Sequence, residues 1–180
     1  MDVGKYFDRI TDYIENINIV ELVNASKVMM ESTYFGKTIY IAGNGGSMST
    51  SMHFAEDLML QNNLKIKVVP LCSSPCLTAI GNDYNFESIF KKQLKSVMER
   101  GDVLIVISAS GDSENLVQAV DFANTMGHTI GIVGFDGGRL KNKCENVIHV
   151  KTKDKDYEAT EDIHSIICHI LECMLKEEKK

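Results

Sequence analysis

Three groups of residues in this chain have the types and spacing to do chemistry. His53 and Asp57 stand four apart, so on a helix they share a face. An imidazole and a carboxylate so placed can share a metal ion or a substrate hydroxyl, or form an ordinary solvated face. The second group is the loop Ser108-Ala109-Ser110-Gly111-Asp112-Ser113. Hydroxyls of Ser108, Ser110 and Ser113, a glycine that admits close backbone approach and a helix start together suit a phosphate. The plainer alternative is a turn with Ser113 as an N-cap. Asp112 and Glu114 would repel an anion unless they point outward. The third group, Glu161, Asp162, His164 and His169, lies on the final helix. There Glu161 and His169 are about 80° apart and about 12 Å apart along the axis. Side chains lean towards the helix N-terminus, so Glu161 points away from His169. One ion held by both requires a late helix start or another subunit. Taken singly, a histidine beside an apolar stripe is more simply a structural residue.

The elements that position these groups can be read from periodicity. Tyr6, Ile10, Tyr13, Ile14 and Ile17 recur at helical spacing, residues 20–30 continue in a second stripe, and Gly36 stops it. Short β-branched runs at 37–42, 66–71, 103–107, 129–133 and 147–150 predict buried strands. Helices are predicted over 47–60, 86–99, 113–126 (with Gly127 as its stop) and 157–176. The last carries Ile163, Ile166, Ile167, Ile170 and Met174 on one face. Alternating strands and helices imply an α/β, three-layer, flavodoxin-like parallel five-stranded sheet in the order 2-1-3-4-5. One domain over 1–180 is expected, with leading helices at 1–35, an α/β core at 36–180 and a charged tail at 176–180. The order reverses between the first and third strands, where the crevice opens. Gly43-Asn44-Gly45-Gly46-Ser47 and the serine loop both fall there.

Composition narrows the function. The 180 residues carry 19 basic against 25 acidic side chains, a net charge of −6, which disfavours a broad nucleic-acid surface. No apolar run approaches the roughly 20 residues that span a bilayer, and the start lacks a signal-peptide pattern, so a soluble, unexported chain is expected. Cys72, Cys76, Cys144, Cys168 and Cys173 include no CxxC pair and read as buried free thiols in a reducing compartment. Met48 occupies the third glycine position of GxGxxG and no Gly-Lys-Ser/Thr occurs, so nucleotide fingerprints are missing. A phosphate on a small molecule remains.

Gly43-Asn44-Gly45-Gly46-Ser47 followed by His53-Phe54-Ala55-Glu56 resembles the phosphoheptose isomerases of the sugar isomerase (SIS) fold. So do Leu77-Thr78-Ala79-Ile80 with Asn82-Asp83, Gly101-Asp102-Val103-Leu104 with the serine loop, Gly137-Gly138-Arg139-Leu140, Ile163-His164 and His169-Ile170-Leu171. The resemblance spans roughly residues 38–172. It implies a cytoplasmic isomerase that converts sedoheptulose 7-phosphate into D-glycero-D-manno-heptose 7-phosphate through an enediol, for lipopolysaccharide or capsule. A homotetramer with active sites between subunits and a bound Zn2+ are implied as well, with no direct contact to nucleic acid or membrane. Carried over by position, Asn44, Gly45, Gly46, Ser47, Asn82 and Asp83 would contact substrate, and Ser108, Ala109, Ser110 and Ser113 would hold its phosphate. His53, Asp57, Glu161 and His169 occupy the metal positions, with Asp57, Glu161 and His169 also catalytic: a carboxylate takes the carbon-bound proton and His169 the oxygen proton. Asp57 stands where the family usually has Glu, Glu161 where it has Gln, and Ala109 where it has Thr. Alternatives are a non-catalytic phosphosugar-binding protein, one that associates with the replication initiator, or an isomerase of another sugar phosphate.

Overall fold

In the computed structural model, which describes residues 2–61 and 64–177, five parallel strands form one sheet. They are β1 (Thr38–Gly43), β2 (Lys67–Pro70), β3 (Val103–Ser108), β4 (His128–Val133) and β5 (Asn146–His149), ordered β2-β1-β3-β4-β5 as the pattern predicts. Residues 178–180 of the expected tail lie outside the described residues.

The β-branched runs form strands because both sheet faces are covered. Ile39, Ile41, Val103, Ile105 and Ile107 face a core shared with α2 (Ile19–Tyr34), α3 (Gly46–Met59) and α8 (Tyr157–Glu177). The alternate residues Tyr40, Ala42, Leu104 and Val106 face α5 (Ile89–Val97) and α6 (Glu114–Ala123). On α8, Ile163, Ile167, Leu171 and Leu175 are fully buried, each side chain stabilising by about 1.5–3 kcal/mol. α1 (Val3–Glu15) begins at Asp2, whose carboxylate accepts the Gly4 N–H at 3.0 Å, and packs on α8.

The structure departs from the sequence reading at four places. α4 (Ser74–Asp83) and the short α7 (Leu140–Lys143) were not expected; α4 fully buries no residue and packs only Leu77 and Ile80 on the core, too short a stripe to betray it. The helix predicted over 86–99 begins as a 3-10 turn at Phe86–Ser88 and continues as α5. Gly127 does not terminate α6, which ends at Ala123. It lies against the Asp102 carbonyl, where any side chain would collide. Asp102 itself is buried and accepts the Thr38 and Glu99 N–H groups at 2.9 and 2.7 Å, tying β1 to β3. Finally, the cysteines are free, but only Cys144 and Cys168 are buried, while Cys76 and Cys173 are exposed. Burial pushes the Cys144 thiol up to about 12 and the Cys168 thiol still higher.

Candidate active site

Beyond the carboxyl ends of β1 and β3 lies a cavity of about 170 Å3, lined by Asn44, Ser47, Ser108, Ser110, Ser113 and Glu161, among others. The serine loop is shaped by its own amides. The Gly111 N–H donates to Ser108 Oγ at 3.0 Å and the Asp112 N–H to Ser110 Oγ at 3.3 Å, so each hydroxyl hydrogen stays available to a ligand. Ser113 occupies the N-cap position of α6, yet its side chain makes no capping bond. Capping alone therefore does not account for it. Gly111 has φ +68°, and a side chain there would strike the Gly137 carbonyl, so the Gly137-Gly138 turn backs the loop directly.

Asp112 and Glu114, the two carboxylates that would repel a phosphate, are paired with Arg139 and are not among the lining of this cavity. Arg139 Nη1 donates to Glu114 Oε2 at 2.7 Å and Arg139 Nε to Asp112 Oδ1 at 3.3 Å, both at the surface. The guanidinium holds the Glu114 carboxyl below its ordinary range.

A second cluster sits where α3 crosses α8. His53 Nε2 and His169 Nε2 are 3.2 Å apart, and Asp57 Oδ2 lies 3.5 and 3.6 Å from them. Donors bound tetrahedrally at zinc-like distances stand about 3.3 Å from one another, so these edges fit one small divalent ion. Asp57 Oδ2 is also buried without a hydrogen-bond partner among the described residues, which suits a cation ligand. Behind it, Gln61 Nε2 donates to the Asp57 carbonyl at 3.1 Å and to the buried Glu172 carboxylate, which Lys176 pairs at 2.6 Å. Glu161 stands apart: its carboxylate lies against Gly46, in the cavity of the serine loop. The structure thus groups three of the four expected metal residues and assigns Glu161 to the other pocket. This is the separation along α8 that helix geometry predicts.

Residues 5–134 match the model of the SIS domain family. A phosphoheptose isomerase from Clostridium acetobutylicum is 39% identical over 175 residues, covering 93% of this chain and 86% of that protein. The chain belongs to the phosphoheptose isomerase family. Another phosphoheptose isomerase, from Nitratiruptor sp., is 38% identical over 87% of this chain and 85% of its own length. The structure of the phosphoheptose isomerase from Neisseria gonorrhoeae superposes with a TM-score of 0.88 at 27% identity, covering 97% of this chain and 95% of that one. The family is one of sugar-phosphate isomerases. Among the described residues no helix is long and apolar enough to cross a membrane.

Within this family framework the remaining expected residues can be placed. Gly45 is the N-cap of α3 at φ +54°, and Ala109 is buried beside the serines. Asn82 and Asp83, at the exposed end of α4, hydrogen-bond each other at 2.9 Å and do not line the serine-loop cavity of their own chain. His164 is fully buried, and neither ring nitrogen has a hydrogen-bond partner. Burial lowers it to about 4; the Val133 backbone opposes this electrostatically without reaching hydrogen-bond geometry. It is a neutral core histidine.

Sequence reasoning missed Asn115 and Tyr157. Asn115 exchanges two hydrogen bonds with Asn44, at 2.9 and 3.0 Å. Tyr157 lines the serine-loop cavity and packs edge-on against Phe135, ring centroids 5.1 Å apart. A polar residue in the first turn after a phosphate-type loop was a usable signal for Asn115; nothing local marked Tyr157.

Proposed function

We propose that the chain interconverts sedoheptulose 7-phosphate and D-glycero-D-manno-heptose 7-phosphate through an enediol. The observation that carries this reading is the Glu161 carboxylate in one cavity with Ser108, Ser110 and Ser113. The serine hydroxyls and the start of α6 bind the phosphate and fix the sugar's far end. A carboxylate, Asp57 or Glu161, takes a proton from C1 of the ketose and returns it to C2, while the matching proton passes between the two oxygens beside Asn44 and Ser47. His53, Asp57 and His169 would hold a zinc ion, three protein ligands with an open position being usual in catalytic sites. Bound there, zinc would supply a Lewis acid at the crossing of α3 and α8, in a pocket apart from Glu161.

The exposed α4 end with Asn82 and Asp83 supports a homo-oligomer, a tetramer by family likeness, in which a second copy completes the sugar site. The pathway is heptose supply for a cell-surface polysaccharide, and the compartment is the cytoplasm. The test is to incubate the zinc-loaded protein with sedoheptulose 7-phosphate and follow aldose formation. Turnover by the wild type that falls at least about a hundredfold in Asp57→Asn or in Glu161→Ala supports the assignment, removal of a general base costing typically that much. Equal turnover in both variants would remove these carboxylates from the mechanism.

A further inference from the structure

Asn44 projects from the glycine loop after β1, and Asn115 from the first turn of α6, 71 positions later. Their amides are paired reciprocally: Asn44 Nδ2 donates to Asn115 Oδ1 at 2.9 Å, and Asn115 Nδ2 donates to Asn44 Oδ1 at 3.0 Å. Such a pair reads the same after both amides are flipped, so by itself it leaves the orientation open. A third bond removes the ambiguity. The Leu116 backbone N–H donates to Asn115 Oδ1 at 2.9 Å, and an N–H can meet only the oxygen of an amide. The α6 backbone thus fixes Asn115, which fixes which way the Asn44 amide faces. Asn115 is buried, so no water competes for these bonds.

We propose that Asn115 is a positioning residue of the sugar site: it sets the flip of Asn44, leaving one N–H and one oxygen lone pair of that amide for the substrate. This rests on the proposed reading of the cavity as a phosphosugar site. Because Asn115 follows the serine loop by two residues, the clasp also ties the phosphate end to the sugar end. Neither amide is needed to bind phosphate itself.

Asn115→Asp separates these roles. The carboxylate still accepts from Leu116, preserving the start of α6, but cannot donate to Asn44 Oδ1. Calorimetry on the wild type, Asn44→Ala, Asn115→Asp and the double variant, with inorganic phosphate and with sedoheptulose 7-phosphate as probes, tests the proposal; thermal melts verify folding. Inorganic phosphate affinity should hold in Asn44→Ala and should fall in Asn115→Asp and in the double variant alike, by the salt-dependent factor that a new carboxylate at the start of α6 imposes. Affinity for the sugar phosphate relative to inorganic phosphate should fall about tenfold in each single variant, and no further in the double one, as expected of two groups acting as one unit. A native ratio of the two affinities in Asn115→Asp, or losses in that ratio that multiply in the double variant, would overturn it. Binding without turnover in the wild type would refute the isomerase reading and leave the positioning role standing.

Discussion

His53 and His169, 116 positions apart in sequence, bring their Nε2 atoms to 3.2 Å where α3 crosses α8. Two neutral imidazoles at that distance can share at most one hydrogen bond, whereas both lone pairs can be satisfied by one cation. With Asp57 Oδ2 as third donor, the cluster is predicted to bind zinc at one ion per chain. His53→Ala or His169→Ala should abolish that stoichiometry in metal analysis of the purified protein. Gln61→Ala, which removes a support behind Asp57, should weaken zinc about tenfold. Full zinc content in His169→Ala would disprove the assignment.

The phosphate end has its own signature. Ser110→Ala and Ser113→Ala should each weaken inorganic phosphate binding at least about tenfold, hydrogen bonds to a charged ligand being worth about 1.5–3 kcal/mol. KM for the sugar phosphate should rise with little change in kcat, which steady-state kinetics would register.

Arg139 offers a contrasting test, because its guanidinium binds the Asp112 carboxylate and carbonyl and the Glu114 carboxylate and does not line the cavity. Arg139→Gln removes the positive charge that offsets Asp112 and Glu114 at the start of α6, where their charge opposes a phosphate. Phosphate binding should weaken by about threefold to tenfold at low ionic strength. The deficit should shrink as salt is raised.

His164 predicts how stability follows pH. Its folded value, about 4, lies below the unfolded value of about 6.5. The unfolded chain therefore binds the proton first, and stability is lost as pH falls from about 6.5 towards 4. The lost contribution is on the order of 3 kcal/mol. Chemical denaturation of His164→Gln against the wild type should show the variant with the shallower decline over that window. Parallel curves would contradict the burial argument.

Much of this was written in local sequence. The β-branched runs of β1 and β3 fix the sheet because every inward position is apolar, and the reversal between those strands places the two loops. The 12 Å between Glu161 and His169 could be foreseen from helical rise alone, and it is why the four expected metal residues divide between two pockets. What could not be foreseen depends on contacts remote in sequence. α4 shows only the short stripe of Leu77 and Ile80, because the rest of its surface is exposed in a single chain. The approach of Gly127 to Asp102 and the pairing of Asn115 with Asn44 exist only once the strands lie side by side. His164 is polar in sequence but lies on the buried face of α8, so only packing reveals it as core.

Hydrogen exchange at carbon probes the assigned chemistry most directly. In D2O, with sedoheptulose 7-phosphate and zinc, the wild type should place deuterium at C2 of the aldose and at C1 of recovered ketose. At least one of Asp57→Asn and Glu161→Ala should place none. Aldose formed with all its carbon-bound hydrogen retained, or deuterium incorporated equally by both variants, would contradict proton transfer by these carboxylates.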